Sequence, residues 1–120
     1  MGFIKGVYFD LAHCYEAAGK LNQAIDAYQS SLLIDPGDTV ILNNLAVVNL
    51  RTDHIETAKE SLKGILELNP RDVMAMTNLA LCYIRQNNFQ EAEALLRQAL
   101  TINSQFAPAR QNLEKLLQPR

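Results

Sequence analysis

The chain has 120 residues, 48% of them hydrophobic, with 11 Lys and Arg against 13 Asp and Glu, a net charge of −2 and an isoelectric point near 5.6. That length makes one domain. No apolar run reaches the ~18 residues of a membrane span, no charged-then-apolar leader marks secretion, and no basic cluster exceeds two residues, so neither a membrane span nor a nucleic-acid partner is expected.

In chain order, residues 1–4 add Phe3 and Ile4 ahead of a first helix that carries Val7, Tyr8, Leu11, Ala12 and Tyr15 at helical spacing. An amino-terminal end so apolar implies truncation from a longer array or packing on another chain. Gly19 ends that helix with the permissive backbone of a C-cap. A second helix starts near Asn22 and turns Ala24, Ile25, Tyr28, Leu32 and Leu33 toward its neighbour. Asp35-Pro36-Gly37-Asp38 is turn chemistry ending in an N-cap.

The pattern then recurs. Leu11, Ala12, Ala24, Tyr28 and Pro36 are followed 34 residues on by Leu45, Ala46, Ala58, Leu62 and Pro70, and a further 34 on by Leu79, Ala80, Ala92, Leu96 and Ser104. Gap-free self-similarity at a fixed period marks stacked supersecondary units. The small residues at 12 and 24 and their copies let two helices approach where they cross. The middle unit carries Asn49 where the others have Tyr15 and Tyr83, and Asp53 where the first has Gly19, so it is expected to be the loosest of the three. A last helix from Ala107 to about Leu117 has Pro108 in its first turn, Leu113, Leu116 and Leu117 to pack inward, and Glu114 where the earlier units have Ala.

This period and these residue types resemble the tetratricopeptide repeat: large apolar residue, Leu-Ala, Tyr, Ala, aromatic, Pro. The resemblance sets repeats at 5–38, 39–72 and 73–106 with a closing helix at 107–118. It implies an all-α fold of seven helices, helix-turn-helix repeats coiled into a right-handed superhelix whose first helices line a concave groove.

The family's groove positions fall here on Asp10, Asn44, Asn78 and Asn112, on Phe9 and His13, on Val47 and Leu81, on Met74, and on Arg51 and Arg85. An asparagine ladder can hydrogen-bond the main chain of an extended peptide without reading its sequence. Phe9, Val40, Val47, Met74 and Leu81 would give an apolar floor, with the two arginines along one edge. The family's carboxylate clamp for acidic chaperone tails needs Lys and Arg, but its places hold Phe9, His13, Met74 and Asn78 around the matching Asn44.

No catalytic or metal-binding grouping is evident. His13 and His54 lie in different repeats without acid or thiol partners at ligand spacing, and the five glycines form no phosphate loop. Cys14 and Cys82 are two periods apart, roughly 20 Å by helix spacing, beyond the ~7 Å of a disulfide. They read as free, buried thiols suited to a reducing compartment. The expectation is therefore a cytoplasmic, non-enzymatic module without cofactor or metal. Its partner would be a peptide or exposed segment of another protein, with assembly on a copy of itself as the second reading.

Overall fold

Each helical pair is closed by the same turn, written three times at the sequence period. Gly19, Asp53 and Asn87 take positive φ of 77°, 67° and 62°. The next residue's N–H reaches back over the helix end: Lys20 to the Tyr15 carbonyl at 2.8 Å, His54 to Asn49 at 2.7 Å, Asn88 to Tyr83 at 2.8 Å. With the bonds of shorter sequence span from Gly19 to Glu16, Asp53 to Leu50 and Asn87 to Ile84, these are Schellman closures, which satisfy the last helical carbonyls and reverse the chain.

The computed structural model describes residues 2–119. Among them are seven helices and no strand: α1 Gly2–Ala17, α2 Leu21–Ile34, α3 Thr39–Arg51, α4 Ile55–Leu68, α5 Val73–Arg85, α6 Phe89–Ile102 and α7 Ala107–Leu117. α1 begins earlier than the first repeat, at Gly2. The turns between pairs also repeat. Asp38 accepts from the Val40 and Ile41 N–H groups, and Asp72 accepts from Ala75, so α3 and α5 start on side-chain caps. Phe106 stands at the same place before α7 and caps nothing. Ser104 replaces the turn proline there, yet Phe106 N–H still bonds the Asn103 carbonyl as Asp72 does Asn69.

Two compact units result, residues 1–58 and 59–120. In the first, α1 packs along α2 and α2 against α3. Ala12, Ala24, Ala27, Tyr28, Ile41, Leu45 and Val48 form its core. In the second, α5 packs along α6 and α7 lies on both. Met76, Ala80, Ala92, Leu96, Ala99, Ala109 and Leu113 form that core. Ala12, Ala24, Ala80 and Ala92 are fully buried, as expected where methyl-sized residues let backbones meet. Ser31, buried in α2, donates to the Lys5 carbonyl at 3.1 Å.

Three sequence expectations change. Leu33 is expected on a packing face but is exposed, because it sits one 100° step off the Tyr28–Leu32 stripe. Leu117 is exposed at the end of α7, whereas Leu113 is buried. Cys82 is a buried thiol but Cys14 is exposed, since nothing among the described residues covers that face of α1.

Candidate functional site

In the first unit the predicted groove residues flank a seam between α1 and α3 that ion pairs fasten at both ends. At one end Lys5 Nζ contacts Asp35 at 3.1 Å and Asp38 at 3.0 Å. At the other, Arg51 Nη1 stands 3.4 Å from Glu16, whose second carboxylate oxygen accepts the Tyr28 hydroxyl at 2.8 Å. Between them Phe9 and His13 meet edge to face with ring centres 4.6 Å apart, and each lies 6.0 Å from Tyr28.

The fasteners set the local electrostatics. Hydrogen bonds from Lys5 to Asp38 and then Asp35 hold the ammonium above its ordinary pKa. Burial alone would raise Asp38, but the Lys5 hydrogen bond and the Ile41 and Val40 N–H groups outweigh it and hold the carboxyl below its ordinary value. Burial, reinforced by the Glu16 carboxylate, pushes the Tyr28 phenol well above the tyrosine range, so it stays a donor.

Two cavities open on this seam. One of 260 Å³ is lined by Lys5, Gly6, Phe9, Asp38, Val40 and Ile41, mostly carbon with charge at its rim. The other, of 410 Å³, is lined by His13, Glu16, Ala17 and Arg51 and is polar. The structure thus brings Phe9 together with Val40, and His13 with Arg51. Asp10 is exposed, Asn44 and Val47 are half-buried, and none of these three lines either cavity.

In the second unit, Met74 and Arg85 are exposed near the two ends of α5, Leu81 is half-buried, and Asn78 is only 5% exposed. Asn112 of α7 donates to the Pro108 carbonyl at 2.9 Å, one turn back on its own helix. Among the described residues no group of three His, Cys, Asp or Glu side chains could hold a metal, and no helix is long and apolar enough to cross a membrane.

Lys5, Asp38 and Glu16 were missed as site residues. Their signal is faint: Asp35 and Asp38 serve as turn residues, and only pairing across 30 and 33 positions to Lys5 gives them a second role.

Paired helices with a Leu-Ala crossing, Schellman turns and aspartate-capped starts at a 34-residue period define a tetratricopeptide-repeat protein. More narrowly, the chain belongs to the family described as the Cilia and flagella-associated protein 70 middle TPR-like domain, whose model matches residues 8–117. No curated protein matches the chain.

Solved structures share the fold. The first TPR domain of human RPAP3 is 21% identical with a TM-score of 0.85, over 94% of this chain and 89% of that one. The Sgt2 TPR domain from Aspergillus fumigatus is 18% identical with a TM-score of 0.85, over 93% and 76%. The first TPR of Spaghetti (RPAP3), bound to the HSP90 peptide SRMEEVD, is 21% identical with a TM-score of 0.83, over 94% and 90%.

Proposed function

We propose that the chain is a non-enzymatic protein-interaction module that takes an extended segment of another protein along the α1–α3 seam. The observation that carries this reading is the pair of cavities, one apolar beside Phe9 and Val40 and one polar beside His13 and Arg51, held open between the two ion-pair fasteners. Gly6 and His13 are seven residues apart on α1, about 10 Å along the helix, or about three residues of extended chain. The preferred segment therefore carries an apolar side chain and, three residues on, a carbonyl-rich or acidic one for Arg51.

Asn44, half-buried on α3, is the side chain assigned on this reading to hydrogen-bond the segment's main chain. Asp10 and Val47 stand on the two seam helices themselves, and Met74, Asn78, Leu81, Arg85 and Asn112 take the equivalent repeat positions within the second unit. A rigid seam orders little of itself on binding, so modest contacts give useful affinity.

An acidic chaperone tail is a poor ligand on this reading. The Spaghetti (RPAP3) domain is bound to such a peptide, but Phe9, His13, Met74 and Asn78 give the clamp positions no cation here. The matching family is described by a cilia and flagella-associated protein. A cytoplasmic module within that kind of assembly is the setting that fits.

A peptide array probed with the wild-type chain and with a Val40→Glu, Asn44→Ala double variant tests this. Neither side chain is fully buried, so the melting temperature should hold while binding falls about tenfold. Equal binding by both proteins, or none by wild type, would sink the seam as the site.

A further inference from the structure

The outer face of the first helical pair presents a second surface, separate from the seam. Tyr8, Leu11 and Tyr15 of α1 and Gln23, Asp26, Ala27 and Ser30 of α2 line a cavity of 240 Å³. Val7, Tyr8 and Leu11 are exposed large apolar side chains on the same helix. Among the described residues Asp26 has no ion pair or side-chain hydrogen bond. It leaves one anion in a hollow whose other members are the aromatic and aliphatic Tyr8, Leu11, Tyr15 and Ala27 and the neutral polar Gln23 and Ser30.

The second unit holds the same tyrosine position in a filled state. Tyr83 is two periods after Tyr15. Over its ring, 4.9 Å from the centroid, stands the ammonium of Lys59, which comes from α4, the helix preceding that pair, and donates to Gln86 Oε1 at 3.0 Å. A lysine on the preceding helix thus spans an aromatic face and reaches an oxygen beside it, a cation–π contact supported by a hydrogen bond. At Tyr15 the described residues offer no such lysine. The residue two periods after Asp26 is Ala94, so the carboxylate belongs to the open copy and is lacking in the filled one.

We propose that the outer face of α1 and α2 docks an amphipathic helix of another polypeptide, one that carries a lysine or arginine whose cation lies against the Tyr15 ring and is neutralised by Asp26. Small and aliphatic side chains one and two turns from that cation would cover Leu11, Tyr8 and Ala27. The filled copy supplies the helix and the cation; the unpaired carboxylate supplies the charge complement. The docking does not depend on the α1–α3 seam, because its residues and its test variants are different ones.

The probe is a peptide of the α4 sequence, Ile55–Leu68, crosslinked on its solvent side so that it stays helical, titrated into the isotope-labelled full chain. Amide shifts that saturate at Tyr8, Leu11, Tyr15 and Asp26 are the expected result. The Lys59→Glu peptide should bind at least about fivefold more weakly, whereas Lys63→Glu, an equal charge change at a residue exposed in the chain, should not. Asp26→Lys in the protein should repeat the loss, and the Lys59→Glu peptide should recover affinity for that variant.

Shifts confined to α3 or α5, no saturation at millimolar peptide, or affinity indifferent to charge at 26 and 59 would overturn the proposal. So would peptide-free dimerisation abolished by Asp26→Lys, which would give the face to a second copy of the chain.

Discussion

Leu11 and its three copies are the same residue at the same repeat position, yet Leu11 is 41% exposed while Leu45, Leu79 and Leu113 are 7%, 4% and 9% exposed. The period dictates which face of a helix is apolar; the neighbour decides whether that face is dry. α3 lies against α2 and α7 against α6, whereas the equivalent side of α1 meets no described helix. Cys14 and Cys82 divide in the same way, one exposed and one buried.

The largest test of this contrast is a pair of truncations. Leu45→Ala should cost about 3 kcal/mol, through lost burial and the cavity left behind. Leu11→Ala should cost less than about 1 kcal/mol, because much of that side chain already meets water. Urea midpoints of both variants measure the difference. Equal losses would mean that the α1 face is covered in solution and would erase the contrast.

The same distinction explains what could be read from residues alone. The helical pairs, the Ala crossings at 12, 24, 80 and 92 and the turn at Gly19 follow from local spacing and backbone chemistry, and the structure reproduces them. Leu33 looked like a core residue because its neighbour Leu32 is one, and only a helix placed against α2 shows that a single stripe is buried. The seam was half visible: Phe9, His13 and Arg51 fall at family groove positions, but the fasteners join residues 30, 33 and 35 apart in sequence. No periodicity marks such pairs, since each occurs in one repeat and is absent from the next.

The aspartate caps sharpen the contrast at the next level of energy. Asp38 caps α3 and also holds Lys5, while Phe106 caps nothing before α7. Asp38→Ala should cost about 1–2 kcal/mol, the upper range for a cap, and Asp38→Asn about half of that, because the amide oxygen can still cap. Since the folded state lowers the Asp38 pKa, its charge stabilises the fold above the unfolded value of about 3.9 and ceases to do so as pH falls through the lower folded value. The Lys5 shift is upward from 10.5, so its contribution is intact throughout the acid range and fades only above that value. Between pH 5 and pH 2 the wild type should therefore lose more stability than Asp38→Asn. Parallel acid titrations of the two proteins would show that the ion pair contributes nothing.

The turn residues offer a finer test of the same kind. A Cβ built on Gly19 meets nothing within 4 Å, so only its φ of 77° opposes a side chain. Gly19→Ala should then cost about 1 kcal/mol from backbone strain alone, read as a lower urea midpoint with an unchanged slope. An unaltered midpoint would show that the Schellman turn tolerates any residue at this place.

The smallest effect has the opposite sign. Asn87 occupies the same left-handed position at φ 62°, and asparagine bears that conformation better than most residues but less readily than glycine. Asn87→Gly relieves the Cβ strain and adds freedom to the unfolded chain, two opposing contributions of similar size. The strain term should win because the Asn88-to-Tyr83 and Asn87-to-Ile84 bonds fix the turn whatever the side chain, giving a gain of about 0.5 kcal/mol. Calorimetry at several scan rates resolves a shift of that size. A lower melting temperature would mean that the Asn87 side chain itself braces the α5–α6 turn, and that the three turns, alike in backbone, are held by different means.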